Sequence, residues 1–301
     1  MSFIIPPFLK KNDTIVIVAP ARKVTKAELS PAIKTIQSWG LKVVLSKNLF
    51  EEKNQFSGTD EQRTKDLQDA LDNKNIKAIF CARGGYGTLR LIDKLNFTKF
   101  KKNPKWIIGF SDITVLHAHI NQNLNIATMH APMPLTFNKN KEAVETLSKS
   151  LFGEVNKYTF SSEIINAPKA NKIEGAVVGG NLSLLYAMQG SSSQVNTKNR
   201  IVFIEDLDEY LYHIDRMVLS LKRSGFFKGC KALLVGGMSD MKDNTIPFGK
   251  NAKEIIVDNL KELKLPILFN FPAGHIDENN TIVFGKKALI TLTTKKAEFS
   301  N

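Results

Sequence analysis

Gly109-Phe110-Ser111-Asp112 is the stretch of this chain whose residue types point most directly to chemistry. It follows the apolar run Trp106-Ile107-Ile108 and precedes a pattern with helical spacing. A strand that ends in Gly-x-Ser and turns into a helix lifts the serine hydroxyl above the sheet and directs free helix N–H groups at the group it attacks. Ser111 is therefore a candidate nucleophile. By itself, however, Gly-x-Ser-Asp is more typical of a helix N-cap, and Ile113 replaces the second glycine of the full motif.

A nucleophilic serine needs an imidazole to take its proton and a carboxylate to orient that imidazole. Among the five histidines, His275 follows Phe271-Pro272-Ala273-Gly274, where a predicted strand ends in a loop, and such loops often carry function. His117 and His119 are two positions apart on a predicted helix, so they do not share a face and make a poor metal-binding pair. His130 is predicted at a strand end and His213 at a helix start.

The candidate acid is Glu205, which closes the predicted strand 201–204. Asp206, Asp208 and Glu209 follow it and form an acidic cluster. Such a cluster is also typical of a solvated loop or of a helix N-terminus, where negative charge is favourable. Spacing alone does not choose among these four carboxylates.

Strand-like and helix-like segments alternate through the first half of the chain, which predicts an α/β fold with a parallel sheet covered by helices on both faces. Helices are expected at 29–39 and 60–71, after the glycine loop that begins at Arg83, and from Ser111 onward. We expect an N-terminal α/β domain over 1–145, a connection over 146–170 and a C-terminal α/β domain over 171–301. The alternating residues 281–292 predict a terminal hairpin.

The composition restricts the class of protein. The chain has 301 residues, a formal net charge of +13 and two cysteines, and we expect both thiols to be reduced and mostly buried. The lysines are scattered without a basic stripe, which favours solvated faces, although a positive field can steer an acidic small molecule. We expect neither a nucleic-acid nor a membrane partner. The apolar residues 1–8 resemble neither a signal peptide nor a membrane span, so we expect a soluble, cytoplasmic protein.

Five short motifs occur in the order and approximate spacing of the LD-carboxypeptidase family, which the chain resembles over nearly its whole length. They are Arg83-Gly84-Gly85-Tyr86-Gly87, Gly109-Phe110-Ser111-Asp112, Gly179-Gly180-Asn181-Leu182, Phe203-Ile204-Glu205-Asp206 and Pro272-Ala273-Gly274-His275. The family comprises serine peptidases of murein recycling, with microcin-immunity hydrolases as relatives. One departure is Ala131, where the family pattern leads us to expect glycine.

The resemblance implies that Ser111 is the nucleophile, His275 the base and Glu205 the acid. It also implies a flavodoxin-like N-terminal domain, a mixed α/β C-terminal domain, a site in the cleft between them and a homodimer. We expect no metal and no other cofactor. The expected oxyanion donors are the backbone N–H of Asp112 and that of Gly85 or Tyr86, although a glycine loop of this kind is also an ordinary tight turn.

The leading hypothesis is an L,D-carboxypeptidase that removes the terminal D-alanine from murein tetrapeptides in peptidoglycan recycling. An alternative is a related hydrolase of peptide–nucleotide or aminoacyl–nucleotide compounds, which needs an aromatic platform for the base. No tryptophan follows Trp106, so Tyr186, Tyr210 or Tyr212 would have to supply that platform. A third hypothesis is a non-catalytic binding module that uses the positive charge. Such a module does not need a serine, a glutamate and a histidine together.

Overall fold

The computed structural model of the protein describes residues 2–293 and 296–301. Its α-helices are α1 (Lys26–Ser38), α2 (Asp60–Asp72), α3 (Thr98–Lys102), α4 (Thr114–Asn123), α5 (Lys141–Leu151), α6 (Leu182–Ala187), α7 (Leu211–Arg223) and α8 (Ala252–Leu260). Its strands are β1 (Thr14–Val18), β2 (Lys42–Leu45), β3 (Ile76–Cys81), β4 (Trp106–Gly109), β5 (Thr128–His130), β6 (Lys157–Ser161), β7 (Ile164–Ile165), β8 (Lys172–Asn181), β9 (Ile201–Leu207), β10 (Ala232–Ser239), β11 (Ile267–Leu268), β12 (Ile282–Phe284), β13 (Lys287–Leu292) and β14 (Lys296–Ser300).

Within these residues the first sheet has the strand order β12-β5-β4-β3-β1-β2. The strands β2, β1, β3, β4 and β5 run parallel, and β12 pairs antiparallel with β5. The order 2-1-3-4-5 is that of a flavodoxin-like sheet, in which ligands bind at the carboxyl ends of the strands. The side chains of Trp106, Ile107 and Ile108 on β4 are completely buried, as expected for a parallel strand covered on both faces.

The second sheet is mixed, with the strand order β6-β14-β13-β8-β9-β10-β11-β7 in the described residues. Its central strands β8, β9, β10 and β11 are parallel, and antiparallel strands flank them on both sides. The α/β class is thus confirmed, with a first sheet that is parallel except for β12 and a mixed second sheet. The carboxyl ends of β8 and β9 present Asn181 and Glu205 side by side, in register.

Several local predictions need correction. The helix expected after the glycine loop is replaced by two short 3₁₀ turns, Thr88–Arg90 and Ile92–Lys94. The helix expected from Ser111 begins as a 3₁₀ turn and becomes α-helical only at Thr114. The first helix begins at Lys26, earlier than the hydrophobic pattern indicates, because Thr25 caps it in a box with Glu28.

The predicted terminal hairpin over 281–292 is wrong, because its two strands pair with different sheets: β12 joins β5, and β13 lies between β8 and β14. The connection expected over 146–170 holds the end of α5 and the strands β6 and β7, both of which pair within the second sheet. The domain limits at 145 and 171 stay a prediction.

Other features bear on the class of protein. Cys81 and Cys230 are free, and burial raises the pKa of the Cys230 thiol to about 12. Over the described ranges no helix is long and apolar enough to cross a membrane. In the same residues no group of three or more His, Cys, Asp or Glu side chains is arranged to hold a metal ion.

Candidate active site

Ser111 lies at the carboxyl end of β4, in the turn that leads to α4. Its φ angle is +63°, in the left-handed region, which costs a non-glycine residue about 1–2 kcal/mol. In the described residues the other non-glycine positions with a positive φ are asparagines, aspartates and Lys264; Asn and Asp tolerate this region, so a serine there points to a constraint on the turn. The glycine loop packs directly against it, since a Cβ on Gly84 would come within 2.9 Å of the Ser111 Cβ. Only glycine therefore allows this close approach.

Asp112 joins the glycine loop to the serine turn through its side chain. Its buried carboxylate accepts hydrogen bonds from the Thr88 N–H at 2.8 Å and from the Thr88 hydroxyl at 2.6 Å. Burial raises the pKa of Asp112 above its usual range, and the hydrogen bonds from Thr88 oppose that rise. Gly85 and Tyr86 lie in the same loop, Gly85 with a φ of +106°. The elements expected to carry the oxyanion donors thus lie beside the serine.

His275 lies between Ser111 and Glu205. The distance from its Nε2 to the Ser111 Oγ is 3.1 Å, and the distance from its Nδ1 to the Glu205 Oε2 is 2.6 Å. The His275 backbone N–H also donates to Glu205 Oε2, at 3.1 Å. A carboxylate at Nδ1 fixes the proton there and leaves Nε2 free to accept the serine proton. The structure brings the three residues into one hydrogen-bonded row.

The electrostatics of this row favour a charged acid and a basic imidazole. Burial alone would raise the pKa of the Glu205 carboxyl, but the charge of His275 and its hydrogen bonds lower it below the usual range. Burial alone would lower the pKa of His275, but the charge and hydrogen bond of Glu205, with a contribution from Asp206, raise it above the ordinary value. Lys139 opposes that rise. His275 is thereby a stronger base than a free imidazole.

The other carboxylates of the acidic cluster point elsewhere. Asp206 accepts hydrogen bonds from the Asn181 side chain, the Ser183 N–H and its neighbour Leu207 N–H. Burial and the charge of Glu205 raise the pKa of Asp206 to about 7. Asp208 pairs with an exposed lysine and Glu209 with His213. Of the four carboxylates, the structure places Glu205 against His275.

The remaining histidines are engaged in the fold. The ring nitrogen Nε2 of His117 lies 2.8 Å from the Gly109 carbonyl oxygen, and His119 bonds to Ser193 Oγ. His130 ends β5, as predicted, and is completely buried. Burial lowers the pKa of His117 to about 3, so it stays neutral.

Some residues around the site carry no signal in the sequence. The Thr114 hydroxyl accepts the Asn181 N–H at 3.0 Å and so joins α4 to the end of β8. Asn279 accepts the Gly274 N–H at 2.8 Å, next to His275. These are short polar residues inside ordinary segments, and only their long-range partners reveal them. A cavity of about 200 Å³ opens beside His275 and is bordered by Phe110, Leu207, Lys139 and Asp277, among others.

Sequence comparison assigns the chain to a family. The family model described as the LD-carboxypeptidase N-terminal domain matches residues 15–131, and the model of the LD-carboxypeptidase C-terminal domain matches residues 174–290. The protein belongs to the LD-carboxypeptidase family and is therefore a peptidase. The family that the five motifs indicated from the sequence is thus confirmed.

Individual relatives agree with this assignment. The chain is 32% identical to the probable murein peptide carboxypeptidase of Bacillus subtilis, over 97% of this chain and 93% of that protein. The structure of muramoyltetrapeptide carboxypeptidase from Oxalobacter formigenes matches with a TM-score of 0.85 at 26% identity, covering 95% of this chain and 98% of the other. The microcin C7 self immunity protein MccF, solved with aspartyl sulfamoyl adenosine, matches with a TM-score of 0.88 at 22% identity, covering 99% and 98%. At 22% identity, the similarity to MccF shows a shared fold and nothing more.

Proposed function

We propose that this protein is a serine-type L,D-carboxypeptidase that removes the terminal D-alanine from murein tetrapeptides, with Ser111, His275 and Glu205 as its catalytic residues. The observation that carries the proposal is the imidazole of His275, hydrogen-bonded to Ser111 Oγ on one side and to the buried Glu205 carboxylate on the other. Family membership and the names of the relatives support the reaction type and the substrate class.

The reaction begins when Ser111 Oγ attacks the carbonyl carbon of the terminal peptide bond while His275 Nε2 takes its proton. The tetrahedral intermediate collapses, the C–N bond breaks, and His275 returns the proton to the departing amine. Water then attacks the acyl-enzyme with His275 again as base, which releases the shortened peptide and restores the serine. Glu205 holds the ring tautomer and stabilises the imidazolium in both steps.

The oxyanion of the intermediate needs backbone donors. We assign one to the N–H of Asp112 and the second to the N–H of Gly85 or Tyr86. Two contacts support this assignment: the glycine loop packs against Ser111, and Thr88, which follows that loop, hydrogen-bonds to the Asp112 carboxylate. The removal of one such donor typically lowers turnover by about 10²–10³-fold.

The cavity beside His275 is where we place the departing residue. His275 must reach the leaving amine, so the leaving group belongs on its side of the serine. A cavity of about 200 Å³ accommodates a residue as small as alanine rather than a long chain. Lys139 borders this cavity, and its ammonium, 3.9 Å from the carboxylate of Asp277, is the positive charge that we assign to the terminal carboxylate of the substrate.

The experiment is to incubate the protein with murein tri-, tetra- and pentapeptides and to identify the products by mass. We expect the tetrapeptide to lose one alanine and the tripeptide to stay intact. Matched controls are the tetrapeptide with a terminal L-alanine and the tetrapeptide with a C-terminal amide, and both should react poorly. An intact D-alanine tetrapeptide after long incubation would refute the proposed substrate.

The alternative substrate is a peptide–nucleotide or aminoacyl–nucleotide compound. The observation in its favour is an exposed aromatic pair that follows β9: Tyr210 and Tyr212 are 40% and 42% exposed, with ring centroids 5.6 Å apart. Such a surface can stack a nucleobase. An aspartyl-nucleotide in the same assay decides between the two, because preference for it over the tetrapeptide would favour the alternative.

We further propose that the protein is cytoplasmic, that it forms a homodimer and that it acts in peptidoglycan recycling. This proposal rests on the resemblance to the family. Size-exclusion chromatography with light scattering tests the assembly directly: a mass near twice the 33.6 kDa of the chain is expected, and a monomer at micromolar concentration would contradict it.

A further inference from the structure

The loop that carries His275 lies beyond the end of β11 at Leu268, and β10 holds one side of it, where the Gly237 N–H donates to the Ala273 carbonyl at 3.0 Å. Gly274, directly before His275, has a φ of +106°, and a Cβ there would come within 2.7 Å of the Glu205 Cβ. The loop thus packs closely against Glu205, in a backbone conformation that favours glycine at position 274. The bond from β10 holds the carbonyl side of the Ala273–Gly274 peptide, and the N–H side needs a restraint of its own.

Asn279 supplies that restraint. Its side chain is 4% exposed, and its Oδ1 accepts the Gly274 N–H at 2.8 Å. Because an atom bonded to an N–H donor must be an acceptor, this contact fixes which end of the amide is oxygen. The same oxygen lies 3.1 Å from Nε2 of His130. One buried carboxamide therefore links the His275 loop to β5.

His130 has a defined protonation state in this arrangement. Its Nε2 faces a carbonyl oxygen, which can only accept, so Nε2 carries the proton and Nδ1 does not. Burial is the main reason that the pKa of His130 falls to about 4, against the opposing charge of Glu205. Its ring lies among those of Phe110, Phe203 and Phe284, at centroid distances of 5.8, 5.0 and 5.6 Å. His130 is thus a neutral donor at physiological pH.

The position of His130 connects this link to the nucleophile. In the parallel pairing of β4 and β5, His130 is the register partner of Gly109, two residues before Ser111. The path from Gly109 through His130 and Asn279 to Gly274 therefore runs beside the bond between Ser111 and His275. It joins the sheet that carries the serine to the loop that carries the base.

We propose that His130 and Asn279 are positioning residues, which set the distance between Ser111 Oγ and His275 Nε2 by holding the Gly274 peptide against the strand next to the nucleophile. Neither is one of the reacting groups; His130 is completely buried and does not border the cavity beside His275, whereas Asn279 is one of the residues that line it. The inference rests on the proposed roles of Ser111 and His275. A displacement of about 1 Å in a catalytic group can lower the rate about 10²-fold, so such a restraint has a measurable effect.

The test compares Asn279→Ala and His130→Phe with the wild type in two assays: tetrapeptide turnover, and the rate at which a fluorophosphonate labels Ser111. Asn279→Ala removes the acceptor, and His130→Phe keeps an aromatic ring but removes the donor. We expect both variants to lower kcat and the labelling rate by about 10–100-fold, with KM changed by less than about threefold. In His130→Gln an amide N–H takes the place of Nε2–H, and we expect it to recover much of the loss.

Tyr158→Phe is the matched control for stability. It removes a buried hydrogen bond of 2.7 Å from the Tyr158 hydroxyl to the carbonyl of Thr281, a residue close in sequence to Asn279. We expect a lower Tm with wild-type labelling. Wild-type rates in Asn279→Ala would overturn the inference, and so would a loss in Tyr158→Phe as large as that in Asn279→Ala.

A measurement on the wild-type protein tests the inference even if a variant does not fold. The imidazole nitrogens of His130 should show the Nε2–H tautomer by NMR, without titration between about pH 5 and 8. A His130 that titrates in this range, or that is protonated at Nδ1, would overturn the inference. If the wild type is labelled by the fluorophosphonate but hydrolyses no peptide, the proposed substrate fails, and the labelling rates alone decide the role of His130 and Asn279.

Discussion

The two halves of the candidate site are built in different ways. The turn at Ser111 is formed mainly by its neighbours in sequence, since β4, the 3₁₀ turn and α4 follow one another closely between Trp106 and Asn123, and the glycine loop packs against it. His275 depends on distant partners: Glu205 is 70 residues away in sequence, and Ser239, whose hydroxyl donates to the His275 carbonyl at 2.7 Å, is 36 residues away. The serine turn is therefore a local structure, and the base is placed by tertiary contacts.

This difference has a consequence for mutational effects. A change of the serine hydroxyl should remove chemistry and leave the fold alone, because the backbone of the turn supplies the shape. A change around His275 should act through the geometry or the charge of the base, and it should alter pH dependence as well as rate.

The largest effect is expected for Ser111→Ala. The substitution removes the nucleophile but keeps a Cβ and the backbone of the turn, so turnover should fall about 10⁴–10⁶-fold. The Tm should stay within about 2 °C of the wild type, because no buried side chain is lost. Activity assays with thermal melts of the same preparation measure both quantities. Turnover close to that of the wild type, with unchanged melting, would remove Ser111 from the site.

Glu205→Gln should have the next largest effect, a loss of about 10³–10⁴-fold in turnover. The amide cannot balance the imidazolium, and its NH₂ group can favour the wrong tautomer of His275. The measurement is kcat/KM on the murein tetrapeptide.

The controls for the acid are Asp208→Asn and Glu209→Gln. Asp208 pairs with Lys242 on an exposed surface and Glu209 with His213, and neither contacts His275. Because neither carboxylate takes part in the hydrogen bonds of His275, each substitution should change turnover by less than about twofold. A larger loss at position 208 or 209 than at 205 would show that the wrong carboxylate has been assigned.

The pH profile should show a smaller but diagnostic effect. Glu205 and Asp206 raise the pKa of His275 against burial and Lys139. Since the base must be neutral, kcat/KM should fall on acidification through a midpoint above the ordinary histidine value of about 6.5. In Glu205→Gln this midpoint should move to lower pH, because the carboxylate that favours the imidazolium is gone. An unchanged midpoint in that variant would mean that another group controls the acidic limb.

The smallest effect is expected from a chelator. No cluster of metal-binding side chains is present in residues 2–293 and 296–301, and the proposed triad supplies its own base. Turnover in EDTA should equal that in buffer. Complete loss in EDTA that zinc restores, but buffer exchange does not, would contradict the proposal.

The sequence allowed good prediction where neighbouring residues determine the structure. Hydrophobic runs separated by short loops predicted the parallel first sheet, and Gly-x-Ser before a helical pattern predicted the turn at Ser111. Prediction failed where partners are remote. The alternation over 281–292 was interpreted as a hairpin, because periodicity shows that a segment is extended but not which strand it pairs with. Strands β6 and β7 were not predicted for the same reason, since each pairs with a strand remote in sequence: β6 with β14, and β7 with β11.

The sequence by itself determined the family and the α/β class. It also determined the candidates Ser111, Glu205 and His275, because each of these three residues lies at the end of an apolar strand or loop with recognisable neighbours. The choice of Glu205 over the adjacent carboxylates came from the resemblance. The tertiary structure alone decided that its carboxylate contacts His275, that Asp206 bonds to Asn181, and that Asn279 bonds to both His130 and the Gly274 N–H. The physical reason is that hydrogen bonds between segments dozens of residues apart depend on how two sheets pack, and no local pattern encodes that packing.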